Sequence, residues 1–282
     1  VTQSSDTVDA NGAPATPEVV TAEMPHPDPW DAVVRTRDPL RPTAGTLLAI
    51  SLTNATRLVG TGQGERSDAL GLYLAQWNGI GAVVVAQDRA AQNDGSELGP
   101  GALRMARRGF ALAVELRLPL ITIVDTAGAE LSVAAEQGGL AGEIARCLSE
   151  LTTLPVPTVS VLLGMGCGGG ALALLPADRV VAAAHAWVSP LPLEGASVIR
   201  YRTPDRAADM ARSQRVAAWQ LAESGIVDVV VPEYPDAAQE PEEFCRRVSD
   251  TVSTALADLI RSDEVTRLST RTARYRGGLD VD

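Results

Sequence analysis

Apolar positions along the chain follow two rhythms, and from about residue 80 onward the two alternate. Short apolar runs at 80–87, 120–124, 156–163, 179–183, 186–188 and 226–231 predict buried strands. Between them, apolar residues three and four apart predict helices. Residues 101–118 set Leu103, Phe110, Val114 and Leu118 on one face and Arg104, Arg107 and Arg108 on another. Residues 138–151 align Leu140, Ile144, Cys147, Leu148 and Leu151, and residues 241–262 align Phe244, Val248, Val252, Leu256, Leu259 and Ile260. Shorter helices are expected at 29–39, 43–52, 170–175, 194–201, 206–211 and 215–224. Asp28 caps the first of these with Pro29 at its first position, and Gly225 ends the last. Residues 56–59 and 70–77 add two strands, and Asn78-Gly79 before 80–87 signals a hairpin. Residues 90–99 and 126–137 carry neither rhythm and are expected to be loops. The alternation predicts an α/β domain on a largely parallel sheet, spanning 29–262. An acidic segment, 1–28, is expected to be disordered or a linker, and a polar segment, 263–282, to fray.

Charge and composition narrow the chemistry. The net charge of −11 argues against a nucleic-acid partner. All 24 basic residues are arginines, so a P-loop lysine, a Schiff-base lysine and a lysine general base are excluded. No apolar run is long enough to span a membrane, and no basic-then-apolar leader pattern opens the chain, so a cytoplasmic location is expected. The three cysteines, Cys147, Cys167 and Cys245, are far apart and form no CxxC pair, which supports neither disulfides nor zinc. Cys147 lies on an apolar helix face and is expected in the core. Two histidines, His26 and His185, are too few for most metal sites, and no metal is expected.

The densest signal is 156–173, VPTVSVLLGMGCGGGALA, which reads as buried strand, glycine turn and helix start. Gly164, Gly166, Gly168, Gly169 and Gly170 fall within seven residues. The first turn of a helix leaves N–H groups without intrahelical partners, and these suit a developing oxyanion. A second strand end, 125–130, carries Gly128 and Ala129, and its amides could converge on the same oxygen. Asp125 is expected to hold loop amides there rather than move protons. Three other chemistries share these residues. Gly164, Gly166 and Gly169 match a dinucleotide fingerprint, but no acid ends the next strand. Cys167 with His185 is the only nucleophile–base pair available to a hydrolase. Glu130 keeps open a hydratase or isomerase acting on acyl-thioesters.

The order of several short motifs resembles the α-type carboxyltransferase half of acetyl-CoA carboxylase, in the crotonase-like superfamily. Asp28-Pro29-Trp30 and Arg41-Pro42 are similar to the family's N-terminal helices. Ile123–Ala129 resembles its DTPGA loop, and Glu143-Ile144-Ala145-Arg146 its EAIAR helix. Val156–Val161 and Gly169-Gly170-Ala171-Leu172 resemble its VPVISV strand and GGAL turn. Ala177-Asp178-Arg179-Val180, Pro192–Ala196 and the segment from Gly225 to Glu233 complete the series. The chain departs from the family at Ala127, where proline is usual, and at Glu130-Leu131-Ser132, where Tyr-Pro-Gly is usual. The lysine-bearing HQKG segment is here Ala86-Gln87-Asp88-Arg89, and no zinc ribbon is present.

The resemblance implies an α/β, ClpP/crotonase-like spiral of ββα units with a surrounding helical layer. It implies carboxyl transfer from carboxybiotin, carried on a biotin carboxyl carrier protein, to acetyl-CoA or a related acyl-CoA, giving malonyl-CoA. This chain would be the biotin-side half. Amides of Gly169, Gly170 and Ala171 would serve the ureido oxygen of biotin, with Gly128 and Ala129 as possible second donors. Gly168, Glu194 and Gly195 would contact substrate. A β-type half, on another chain or fused upstream, would be required, and a dimer of α/β pairs is expected. A stand-alone hydratase or isomerase, or a non-catalytic scaffold for a β-type half, are the alternatives.

Overall fold

Asn78 and Gly79 both take positive φ, 45° and 85°, which reverses the chain tightly between two apolar runs. The computed structural model describes residues 27–276. The expectation for 1–28 lies almost wholly outside the described residues, as does His26. In chain order the elements are α1 (Pro29–Thr36), α2 (Ala44–Ser51), β1 (Leu52–Leu58), β2 (Leu70–Trp77), β3 (Ile80–Gln87), α3 (Arg89–Asn93) and α4 (Pro100–Leu116). There follow β4 (Leu120–Thr126), α5 (Val133–Gln137), α6 (Leu140–Thr153), β5 (Thr158–Cys167), α7 (Gly168–Leu172), β6 (Arg179–Ala183) and β7 (Trp187–Ser189). The remainder is α8 (Leu193–Tyr201), a 3-10 turn (Pro204–Arg206), α9 (Ala207–Ser213), α10 (Ala218–Glu223), β8 (Val229–Val231), α11 (Pro241–Arg261) and α12 (Glu264–Arg276).

One eight-stranded sheet runs β1-β2-β3-β4-β5-β6-β8, with β7 pairing beside β6 on the extended half of β5. The first two pairings are antiparallel and the rest parallel. Parallel strands buried on both faces explain why β4 and β5 read as unbroken apolar runs. Helix α4 packs on β2 and β3, and α11 packs on α2, β5 and β6. Phe244, Val248, Val252, Leu256 and Leu259 of α11 are buried as the spacing predicts, but Ile260, expected with them, is half exposed, one residue past the buried stripe. Cys147 is buried in the core as expected.

Four expectations are corrected. Strand β1 starts at Leu52, four residues early, because Leu52 pairs with Trp77 and a bulge follows. Its middle residues are exposed, so it lacks the alternation that would have marked it. The expected loops 90–99 and 126–137 each hold a one-turn helix, α3 capped by Asp88 and α5 by Ser132. Five residues are too few to show a period. The glycine turn starts at Gly168; Gly164 and Gly166 lie inside β5. Last, within 263–282 the described part is not frayed: Glu264–Arg276 is helix α12, and the rest lies outside the described residues.

Helix α12 has almost no apolar face and docks by charge. The Arg271 guanidinium is fully buried and donates to Asp178 Oδ1 at 2.9 Å and to the carbonyls of Leu151 and Leu154 at 2.7 and 2.9 Å. Asp178 also accepts from Thr158 N–H at 2.9 Å, which pins the start of β5. Removing one partner of a buried pair strands the other's charge. Arg271→Met is therefore expected to cost about 3 kcal/mol, the low end for such a break. Arg267, at 3.3 Å from Asp178, keeps part of the compensation. Urea unfolding of the variant checks this; an unchanged midpoint would show that α12 docks by other means.

Candidate active site

The glycine turn is built where β5 gives out. Cys167 is the last extended residue, and Gly168, at φ 64°, takes a conformation that side chains disfavour and starts α7. Gly168 and Gly169 are half-buried, and Gly170 and Ala171 are buried. Gly170 packs against the other strand-end loop. A Cβ there would sit 3.1 Å from Ala129 N and 3.4 Å from Gly128 C. The structure thus brings the two expected donor loops together. Ala171, the fourth residue after the Cys167 cap, has the N–H that the helix directs to Cys167 O, which corrects its expected role as a donor, whereas the N–H groups of Gly169 and Gly170 come before that bond and have no partner within the helix. Ala129 N–H is likewise untaken, whereas Gly128 N–H is not: it donates to Thr126 Oγ1 at 3.1 Å. Of the second pair, only Ala129 keeps an open amide.

A cleft of about 420 Å³ reaches both loops, at Ala127 and Cys167. Its other walls include Met165, Trp187, Leu193, Arg37, Arg89 and Glu194. Trp187 is held by its indole N–H, which donates to Thr36 Oγ1 at 2.8 Å. Glu194 pairs with Arg37 at 2.8 Å; burial opposes its charge, yet Arg37 keeps the carboxyl below its ordinary range. Gly195 is exposed on α8 and does not line the cleft.

The acid/base candidates are turned elsewhere. Asp125 holds loop structure, as expected: Oδ1 accepts from Met165 N–H at 3.1 Å and Oδ2 from Arg89 Nε at 3.0 Å. Burial pushes its carboxyl upward against the pull of Arg89. Glu130 accepts from Ser132 Oγ at 2.5 Å and lines a different groove, with Glu65, Gly99 and Arg104. Burial pushes the Cys167 thiol up to about 11, which suits packing and not nucleophilic attack. His185 Nδ1 sits 2.8 Å from Glu233 Oε2, engaged away from any thiol. With Gly164 and Gly166 inside a strand, the dinucleotide fingerprint also loses its turn.

Behind the cleft lies a polar knot that sequence spacing could not reveal. Arg41, 2% exposed, forks onto Glu233 at 2.7 and 2.8 Å and donates to Leu163 O at 3.1 Å. Glu233 also accepts from His185 N–H and Ala237 N–H, each at 3.0 Å. Burial disfavours its charge, but Arg41 and His185 hold the Glu233 carboxyl far below the usual carboxylate range. His185, Glu233 and Asp236 lie close enough together to hold a metal ion. Glu233 already meets a guanidinium and Asp236 pairs with Arg35 at 2.9 Å, so the donor set is that of an ion-pair network.

Known proteins resemble this chain in sequence and in fold. Residues 18–278 match the family described as acetyl co-enzyme A carboxylase carboxyltransferase-like. A protein of Mycobacterium bovis named "Probable biotin-dependent acyl-coenzyme A carboxylase beta3 subunit" is 52% identical over 264 residues, covering 94% of this chain and 52% of its own length. The acetyl-coenzyme A carboxylase carboxyl transferase subunit alpha of Afipia carboxidovorans is 32% identical, covering 90% of this chain and 80% of its own. The chain thus spans about half the length of the mycobacterial relative. Among solved structures, transcarboxylase 12S, a hexamer solved with methylmalonyl-coenzyme A bound, superposes with a TM-score of 0.66 at 20% identity, over 81% of this chain and 44% of its own. At that identity the likeness is one of fold, and it is the crotonase-like fold that the motifs imply.

Proposed function

The chain belongs to the acetyl co-enzyme A carboxylase carboxyltransferase-like family, and from that premise we propose that it forms the biotin-side half of an acyl-CoA carboxyltransferase site. The observation that carries this reading is the meeting of the two strand-end turns. Gly170 lies against the Gly128–Ala129 peptide, beside open N–H donors and with no acid or base aimed at them. Such a set offers hydrogen bonds without a proton, which fits an oxygen that gains negative charge only during reaction. It also fits an uncharged ureido group better than a carboxylate, because among the described residues the nearby cations of the cleft, Arg37 and Arg89, are already paired with Glu194 and Asp125.

Carboxybiotin, delivered on a carrier protein, supplies the carboxyl group. Ala129, Gly169 and Gly170 would donate N–H groups to its ureido oxygen, and the Ala127–Cys167 cleft would admit the ring. The apolar walls, Met165, Trp187 and Leu193, keep water from weakening those hydrogen bonds. A β-type half would hold the acyl-CoA, acetyl-CoA or a close relative, opposite these amides. Such pairs are expected to assemble further into a symmetric dimer of pairs. No helix among the described residues is long and apolar enough to cross a membrane.

The test is reconstitution. This chain combined with a β-type half is expected to decarboxylate malonyl-CoA only when biotin is present, and neither half alone should turn over. Hydration of an enoyl-CoA by this chain alone, lost in Glu130→Gln, would instead favour a hydratase.

A further inference from the structure

We infer that the outward face of helix α8 is where the biotin carrier protein docks to deliver its biotin, an inference that rests on the carboxyltransferase reading above. The start of α8 is a wall of the cleft, at Leu193 and Glu194. Its inner face, Leu193, Ala196 and Ser197, is buried, and Ser197 Oγ donates to Thr203 O at 2.6 Å, which holds the turn that ends the helix. The opposite face is uncovered. Gly195, Val198, Ile199 and the cap residue Arg202 follow at three- and four-residue spacing, so they share that face, and all four are exposed. Val198 is 44% and Ile199 66% exposed, and Leu191, just before the helix, is 46% exposed. A single exposed apolar side chain means little, but several together on a helix that walls a cleft mark a contact surface.

Charge decides what fits there. Arg200 and Arg202 are exposed, and no acid among the described residues pairs with either; Arg200 only lies over the Tyr201 ring, 5.4 Å from its centroid. The acids that follow are engaged: Asp205 accepts from Thr203 Oγ1 at 2.8 Å, and Asp209 pairs with Arg206 at 2.7 Å. On a chain of net charge −11, two uncompensated guanidinium groups steer an acidic partner to this spot while the rest of the surface repels it. A lasting partner buries a larger area with an apolar centre depleted of charge. A few apolar side chains flanked by free cations suit instead a partner that arrives by electrostatic steering and leaves at each turnover. The carrier is the partner that must do so, because its biotin has to enter the cleft and withdraw. Its matching surface is an acidic rim around a small apolar patch. Seated on α8, it stands within one helix length of the cleft, about 13 Å for nine residues.

The experiment uses the assembled carboxyltransferase and follows decarboxylation of malonyl-CoA, with either biotinylated carrier protein or free biotin as the carboxyl acceptor. Arg200→Gln combined with Arg202→Gln is expected to raise KM for the carrier about 10-fold at low ionic strength, and the difference should shrink as salt is added. KM for malonyl-CoA and the rate with free biotin should stay within about twofold of the unaltered enzyme, because neither arginine reaches the cleft. A carrier KM that also stays within that margin, or a difference indifferent to salt, overturns the proposal. A double variant that no longer joins the β-type half, or that loses a self-association shown by the unaltered chain in sedimentation, assigns the face to that other occupant and overturns it too. Fluorescence anisotropy of a labelled carrier reads docking without turnover, and equal affinity for the unaltered and altered complexes sinks the docking face whatever the assay gives. The functional reading fails separately, if the unaltered complex shows no biotin-dependent decarboxylation with free biotin.

Discussion

Gly170→Val is expected to leave less than about one-hundredth of kcat in the reconstituted enzyme, with the fold retained. The φ of Gly170 is not in the left-handed region, so the effect does not come from backbone strain. It comes from space. A Cβ at 170 would stand 2.8 Å from Leu98 Cδ2 and 3.1 Å from Ala129 N. Leucine can swing its tip aside, but the Gly128–Ala129 peptide is backbone and must move as a loop. Valine adds two methyl groups to that crowding and so separates the two donor sets. Displacements of about 1 Å in an organised site can cost about 100-fold. Gly169→Ala is the contrasting variant: its Cβ would meet Ile144 Cδ1 at 2.7 Å, the far end of a flexible side chain. Steady-state kinetics with a urea midpoint for each variant checks the pair. A folded Gly170→Val enzyme within tenfold of full kcat would remove the converging amides from the mechanism.

The second large effect is on stability. Arg41→Met is expected to cost about 3–5 kcal/mol, because it leaves Glu233 charged, buried and short of its main partner. The same change frees the carbonyl of Leu163, which Arg41 holds at 3.1 Å. Arg41→Met with Glu233→Gln should cost less than the two single losses added, since the pair shares one interaction. The pH dependence follows from the sign of the shift. Glu233 is held below the ordinary glutamate value of 4.5, so its contribution is complete above that pH. It is lost as pH falls from there toward the depressed folded value. Urea midpoints measured across the acid range should therefore fall more steeply for the unaltered protein than for Glu233→Gln. Parallel curves would mean that the carboxyl does not carry the linkage.

Much of the framework was legible because it is local. The hairpin at Asn78-Gly79, the unbroken runs of β4 and β5 and the stripe along α11 each depend on residues close in sequence. The two donor loops were legible as glycine-bearing strand ends, and parallel pairing of β4 with β5 sets those ends side by side. What sequence could not give was how far β5 runs. Gly164 and Gly166 look like a turn, yet β7 pairs with Met165–Cys167 and holds that stretch extended. Asp125 binds the Met165 amide, and a Cβ at either glycine would collide with Asp125 or Trp187 O. These two glycines serve packing, and only those from Gly168 onward make the bend. The Arg41–Glu233 pair was out of reach for a different reason. Its members are 192 residues apart, and no spacing rule joins them. Arg41 and Glu233 could be recognised as letters of family motifs, but not as each other's partner.

Because this chain uses arginine and no lysine, its ionic lattice is vulnerable from one side only. A guanidinium keeps its proton at any pH a folded protein meets, so alkali cannot discharge the cationic members of these pairs. The carboxylate of Glu233, by contrast, loses its charge once pH falls toward its depressed folded value. Glu233 and Asp178, each gripped by a buried fork, join distant stretches of chain: Glu233 ties the N-terminal helices to the sheet's edge, and Asp178 ties α12 to the root of β5. Acidification would thus loosen the molecule first where Glu233 sutures the N-terminal helices to the sheet's edge.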